Sequence, residues 1–213
     1  ETAVDRMNQV ILLGRQKREE QKVGIRQPLA RLTVIHRDAA LLEEIRSRLP
    51  DCSIEVLTPD FQGAPESIER VIAARPEIFN HNMETVQRLH KTARPGGRYR
   101  RSLEVLSTAR GLDPDVLIKT GIMLGLGEHA DDIRGFMDDA LEAGVQILTL
   151  GQYLRPTEKH LPIDRYVGPE EFAEWKTTGE SLGFLHVESG PLVRSSYHAR
   201  EQVEELRARA GIA

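Results

Sequence analysis

From residue 53 onward, short apolar and β-branched runs alternate with longer stretches whose apolar residues recur at three- and four-residue spacing. That alternation predicts strands separated by amphipathic helices. Residues 54–57 predict a strand ending at Thr58-Pro59-Asp60, followed by a helix over SIERVIAA. Residues 78–81 and 116–120 predict two more strands, with a helix over SLEVLSTARG between them that Gly111 would cap. A helix over 131–143 closes at Gly144, and VQILTL at 145–150 reads as a fourth strand, continuously apolar like a buried strand of a parallel sheet. Four strands separated by helices imply right-handed crossovers and a parallel α/β sheet.

The first fifty residues follow a different pattern. Val4, Met7, Val10 and Ile11 share one face of an amphipathic helix, which runs into a charged tail of Arg15, Lys17, Arg18, Glu19, Glu20 and Lys22. Gly24 ends it and Pro28 blocks its continuation. RLTVIH at 31–36 then predicts an edge strand, with Asp38 capping a second helix over DAALLEEIRSRL. This helix-strand-helix segment, residues 1–48, is expected as an appendage to an α/β domain over residues 49–213.

Composition narrows the function. A chain of 213 residues forms one α/β domain with a sizeable core, or one domain and a small appendage. Its net charge of -4 lacks the basic excess of a dedicated nucleic-acid binder. No apolar run approaches the ~18 residues of a membrane span, and no charged-then-apolar leader is present, so a cytoplasmic protein is expected. Cys52 is the single cysteine. It permits no intramolecular disulfide and does not supply the three or four thiolates of an iron-sulfur cluster.

Candidate chemistry gathers where strands end, because βα loops converge there in α/β folds. Asn80, His81, Asn82 and Glu84 bring amide, imidazole and carboxylate groups to the end of one strand, a set suited to the hydroxyls and amino group of a nucleoside. The other reading makes Asn82 a helix cap with Glu84 in the first turn. Lys119 projects from a strand end and is expected to pair with a carboxylate, with the Thr120 hydroxyl beside it. Gly125-Leu126-Gly127-Glu128 lacks the spacing of a phosphate-binding loop. Gly151, Gln152, Tyr153, Arg155, Lys159 and His160 follow the fourth strand, as either a site or a solvated loop. Arg194-Ser195-Ser196-Tyr197 follows a Ser189-Gly190-Pro191 turn, and without a GxSxG elbow it does not form a serine-nucleophile site with His186 or His198.

GQYLRPTEKHLPIDRYVGPEEF and GPLVRSSYHA, with IEVLTPDFQG, FNHNMETV, RPGGRYRRSLEVL and KTGIMLGLGE upstream, resemble the C-terminal half of lipoyl synthase over residues 50–199. That family cleaves S-adenosyl-L-methionine by radical chemistry and inserts sulfur into a protein-bound octanoyl chain. The resemblance implies a partial TIM-like barrel built from the later βα units of a radical SAM barrel. It implies an S-adenosyl-L-methionine site lined by Asn80, Asn82, Glu84, Lys119 and Thr120, with the glycine loop approaching the methionyl part. It also implies Ser196 as an oxygen ligand to an auxiliary 4Fe-4S cluster, beside Arg194. A lipoyl-domain or octanoylated carrier protein is the implied partner.

Both cysteine triplets of that family are missing, so clusters are not expected on this chain alone and no catalytic residue is assigned. Residues 1–48 resemble instead a C-terminal segment of isoleucyl-tRNA synthetase, in their LGR, RQPL and strand pattern. The expectation is therefore a truncated or chimeric lipoyl synthase-like chain, inert by itself. The alternatives are a non-catalytic binding or structural module, prone to self-association through exposed sheet, and a tRNA-contacting segment at the N-terminal end.

Overall fold

A computed structural model describes residues 31–34, 46–47, 53–194 and 206. The amphipathic helix before Gly24, Cys52, Asp38, Ser196, Tyr197 and His198 lie outside the described residues, as does all but 46–47 of the second N-terminal helix.

Six parallel strands stand side by side in chain order: β1 (Arg31–Val34), β2 (Ser53–Leu57), β3 (Ile78–Asn80), β4 (Leu117–Leu124), β5 (Ile147–Gln152) and β6 (His186–Gly190). Helix α1 (Pro65–Ala73) links β2 to β3, and α2 (Gln87–Ala93) with α3 (Tyr99–Leu112) links β3 to β4. Helices α4 (Ala130–Glu142) and α5 (Pro169–Leu182) complete the next two crossovers. Because strand order follows chain order, right-handed crossovers put every helix on one side of the sheet. Among the described residues this is the arrangement of a singly wound, partial barrel whose first and last strands are β1 and β6.

The two faces follow from strand periodicity. Ile54, Val56, Phe79, Ile118, Ile122, Leu148, Leu150 and Val187 point to the helices and share a core with Ile68, Leu106, Phe136 and Phe172. Each such side chain contributes about 1.5–3 kcal/mol by burial, so the helix side holds the fold together. The alternate residues form the inner face. There Ile78, Leu117 and Ile147 pack with Leu206 near the N-terminal ends of the strands. Toward the other end this face turns polar, with Glu55, Asn80, Lys119, Thr149 and Glu188.

The extra edge strand is present, pairing Arg31–Val34 in register with Ser53–Val56 of β2 across the expected boundary at residue 48. Other expectations need correction. Gly111 does not cap its helix: α3 continues to Leu112 and stops at Asp113, which is extended because it precedes Pro114. Strand β4 runs on past Thr120 to Leu124, through Gly121. Strand β6 and helix α5 were not anticipated. HVESG carries too many polar residues to read as a strand, because as an edge strand it is mostly half-buried. Helix α5 starts at Pro169 and ends at Gly183, whose φ of 118° is open to glycine.

Candidate functional site

Loops at the C-terminal ends of β3, β4, β5 and β6 enclose a cleft of about 260 Å³ on the inner face. Asn82 and Glu84 form one wall, the backbone from Gly121 to Met123 with Thr149 and Gly151 the floor, and Leu154, Val193 and Arg194 the far side. A larger cavity, about 420 Å³, sits at the opposite end among Arg46, Arg75, Glu77 and Asp113. Sites in parallel α/β sheets form at the C-terminal ends, where loops from several strands meet, so the smaller cleft is the candidate.

Two glycines shape the floor. A Cβ on Gly121 would lie 2.1 Å from Thr149 Oγ1, and one on Gly151 would lie 2.6 Å from the Val193 carbonyl oxygen. Lacking side chains, they let the neighbouring strand and the segment after β6 approach. Glu84 has φ of 69°, a left-handed conformation uncommon for a non-glycine residue. Strand β4 holds it on both sides: Glu84 N–H donates to the Gly121 carbonyl at 3.1 Å, and Met123 N–H donates to the Glu84 carbonyl at 2.9 Å. Backbone strain kept in this way is typical of ligand-binding positions.

The electrostatics of this wall are distinctive. Burial raises the Glu84 carboxyl above the ordinary carboxylate range, opposed by the Arg94 guanidinium and by a hydrogen bond with the Asn82 side chain. The Asn82 side-chain oxygen is buried without a hydrogen-bond donor among the described residues. A desolvated carboxyl beside an unused amide acceptor suits a ligand amino group or hydroxyl.

Asn80 and Lys119 lie one layer below the cleft. The Lys119 ammonium and Glu55 carboxylate, both 0% exposed, pair at 3.1 Å. Asn80 Nδ2 donates to the same carboxylate at 2.8 Å, and the Asn80 side-chain oxygen is buried without a partner among the described residues. Lys119 thus finds the expected carboxylate, but inside the sheet. Thr120 points the other way, its hydroxyl donating to the His81 carbonyl at 2.7 Å. The set Asn80, Asn82, Glu84, Lys119 and Thr120 is therefore divided: Asn82 and Glu84 line the cleft, Asn80 and Lys119 support it, and Thr120 faces away. Ser196 lies outside the described residues.

His81 is also turned from the cleft. Its Nδ1 lies 2.9 Å from the Thr58 carbonyl and its Nε2 3.0 Å from Ser102 Oγ. Since a carbonyl only accepts, Nδ1 carries the proton and Nε2 accepts from the hydroxyl. Burial lowers this imidazole to about 4, so at neutral pH it is an uncharged brace. The glycine loop is likewise internal. Glu128 accepts the Gly125 and Leu126 N–H groups at 2.6 and 2.9 Å, so these donors are committed to a carboxylate of their own loop.

The polar residues after β5 mostly brace their loop. Gln152 Oε1 accepts the Val167 N–H at 2.9 Å, while its Nε2 donates to the Tyr153 and Arg165 carbonyls. Tyr153 donates to the Leu161 carbonyl and Arg155 to the His160 carbonyl, each at 2.9 Å. Glu55 is a contributor that sequence reasoning missed. The signal available for Glu55 was a carboxylate at the centre of the otherwise apolar IEVL run.

An open, singly wound parallel sheet with a polar cleft at its C-terminal end defines the class. The model of the Radical SAM superfamily matches residues 24–140, more than half of the chain, and the chain belongs to that superfamily. Within it, the chain is 54% identical over 196 residues to lipoyl synthase of Rubrobacter xylanophilus, covering 87% of this chain and 60% of that protein. It is 50% identical over 169 residues to lipoyl synthase of Koribacter versatilis, covering 79% of this chain and 56% of that protein. The chain thus spans less than two thirds of either relative. Streptococcus suis SuiB shares the fold at a TM-score of 0.63 with 10% identity, over 88% of this chain and 42% of that one.

Proposed function

We propose that this chain is the later-strand portion of a lipoyl synthase-type radical enzyme, holding S-adenosyl-L-methionine in the cleft and facing an octanoylated carrier protein. The 54% identity to a lipoyl synthase over 87% of the chain carries this reading. The cleft fits the cofactor's polar groups: Asn82 and Glu84 offer acceptors for its ammonium, and Arg194 a cation for its carboxylate. When bound, S-adenosyl-L-methionine would supply a carbon radical once its sulfonium takes up one electron and a C–S bond breaks to leave a thioether, the electron coming from a donor that this chain's residues do not supply. This chain's residues bind and orient it. Asn80 and Lys119, tied to Glu55, keep the strand ends in place beneath.

The iron-sulfur clusters of that reaction do not fit this chain. A cluster needs three or four thiolates, and the 213 residues contain one cysteine. A second reading makes the chain a non-catalytic module that binds the cofactor or the carrier. No helix among the described residues is long and apolar enough to cross a membrane. The tRNA-contacting reading of residues 1–48 rests on the LGR and RQPL pattern alone, and the Radical SAM match, which begins at residue 24, includes RQPL. It requires salt-sensitive retention of tRNA that an unrelated acidic polymer does not match.

Calorimetric titration of S-adenosyl-L-methionine across pH tests the cleft. An ionised Glu84 attracts the ligand's ammonium, so affinity is expected to rise as pH climbs through the raised Glu84 range. Glu84→Gln is expected to weaken binding about tenfold or more and to remove that pH dependence. Equal binding by wild type and variant at every pH would reject the assignment.

A further inference from the structure

Between residues 88 and 101 the chain reads RLHKTARPGGRYRR, six arginines and lysines with no acidic residue, in a protein whose net charge is -4. Three of the six are used internally. Arg88 pairs with Asp132 at 2.7 Å and also donates to the Gly127 carbonyl. Arg101 pairs with Asp60 at 2.6 Å. Arg94 donates to the Asn82 carbonyl at 3.0 Å. The other three, Lys91, Arg98 and Arg100, are exposed and make no ion pair among the described residues.

Topology puts this group beside the cleft. Helix α2 follows β3 at the C-terminal end of the sheet, and α3 begins there before running back to the start of β4. The turn between them is compact. Gly96 has φ of 88°, and a Cβ on Gly97 would meet Arg94 at 2.9 Å and His90 at 3.0 Å. The Arg94–Asn82 hydrogen bond joins this basic knuckle directly to the cleft wall.

We infer that the α2–α3 knuckle is a docking surface for the acidic face of the protein that presents an acyl chain to the cleft. This inference rests on the carrier-protein reading above. Three exposed cations on the knuckle that Arg94 ties to the cleft wall, without an ion pair among the described residues and in a chain of net charge -4, attract a negatively charged protein surface and orient it toward the cleft. A protein partner fits better than a nucleic acid. Three free cations match a small acidic patch, whereas a long polyanion would also meet the chain's net negative charge.

The test measures binding of an octanoylated lipoyl domain by fluorescence anisotropy at low and at physiological salt. The wild-type chain is compared with the triple variant Lys91→Glu, Arg98→Glu, Arg100→Glu. The control Arg70→Glu, Arg134→Glu reverses exposed charges on the outer faces of α1 and α4. The triple variant is expected to lose about tenfold or more in affinity at low salt and to lose the salt dependence. The control should bind as wild type does, and S-adenosyl-L-methionine titration of the triple variant should match wild type, showing that the fold and cleft are intact. Undiminished carrier binding by the triple variant would overturn the inference while leaving the carrier reading in place. Failure of the wild-type chain to bind the carrier at any salt would overturn both. Tighter binding of duplex RNA than of carrier, lost in the triple variant, would reassign the surface to nucleic acid.

Discussion

His81 shows how one residue couples stability to pH. Burial holds its folded-state value near 4, against 6.5 for the free side chain, so the folded protein prefers the neutral ring. As pH falls below 6.5 the unfolded chain takes up a proton that the folded chain refuses, and stability is lost until about 4, where both forms are protonated. His81→Ala is expected to cost about 3 kcal/mol at neutral pH and to flatten the pH slope in that window, as read by urea unfolding. The Lys119–Glu55 pair makes a different prediction. Lys119→Met or Glu55→Gln alone removes one member of a fully buried ion pair and is expected to destabilise by about 3–5 kcal/mol. Replacing both by well-packed apolar residues should recover most of that loss, and a double-mutant cycle measures the coupling.

Strands β4 and β5 depend on a missing side chain. Gly121→Ala would drive a methyl against Thr149 Oγ1, and the Thr149 carbonyl would stand only 3.0 Å away, so the strands must shift. A cost of about 1–3 kcal/mol is expected, with distortion of the cleft floor and weaker S-adenosyl-L-methionine binding. Adding Thr149→Ala should recover part of the stability, because the shortest contact is to the hydroxyl. Thermal unfolding of the single and double variants checks both statements. The loop after β5 depends instead on Gln152, whose amide makes bonds to Tyr153, Arg165 and Val167. Gln152→Ala is expected to speed tryptic cleavage at Arg155 and Lys159, because it removes the bonds that hold the loop closed.

Across the whole molecule, β1 and β6 are the outermost strands of the sheet among the described residues. The edge of a parallel sheet is a surface on which another chain can add a strand. Sedimentation velocity is therefore expected to show association that grows with concentration in the micromolar range, and a strictly monomeric species throughout would count against it.

The repeating periodicity and the β-branched runs were sufficient for a parallel α/β sheet with helices between its strands, although β6 and α5 escaped them. Those features are local, since a strand's apolar run or a glycine's position is read from adjacent residues. The roles of the polar residues were not local. Lys119 and Thr120 are neighbours that project to opposite faces of β4, so one supports the cleft and the other leaves it. Glu55 stands 64 residues before its lysine, and only the pairing of β2, β3 and β4 brings them together. The basic run at 88–101 is plain in the sequence, but which cations are free depends on where Asp60, Asn82 and Asp132 fall. Charge neutralisation and burial are properties of the packed sheet, and for that reason the tertiary structure alone decided them.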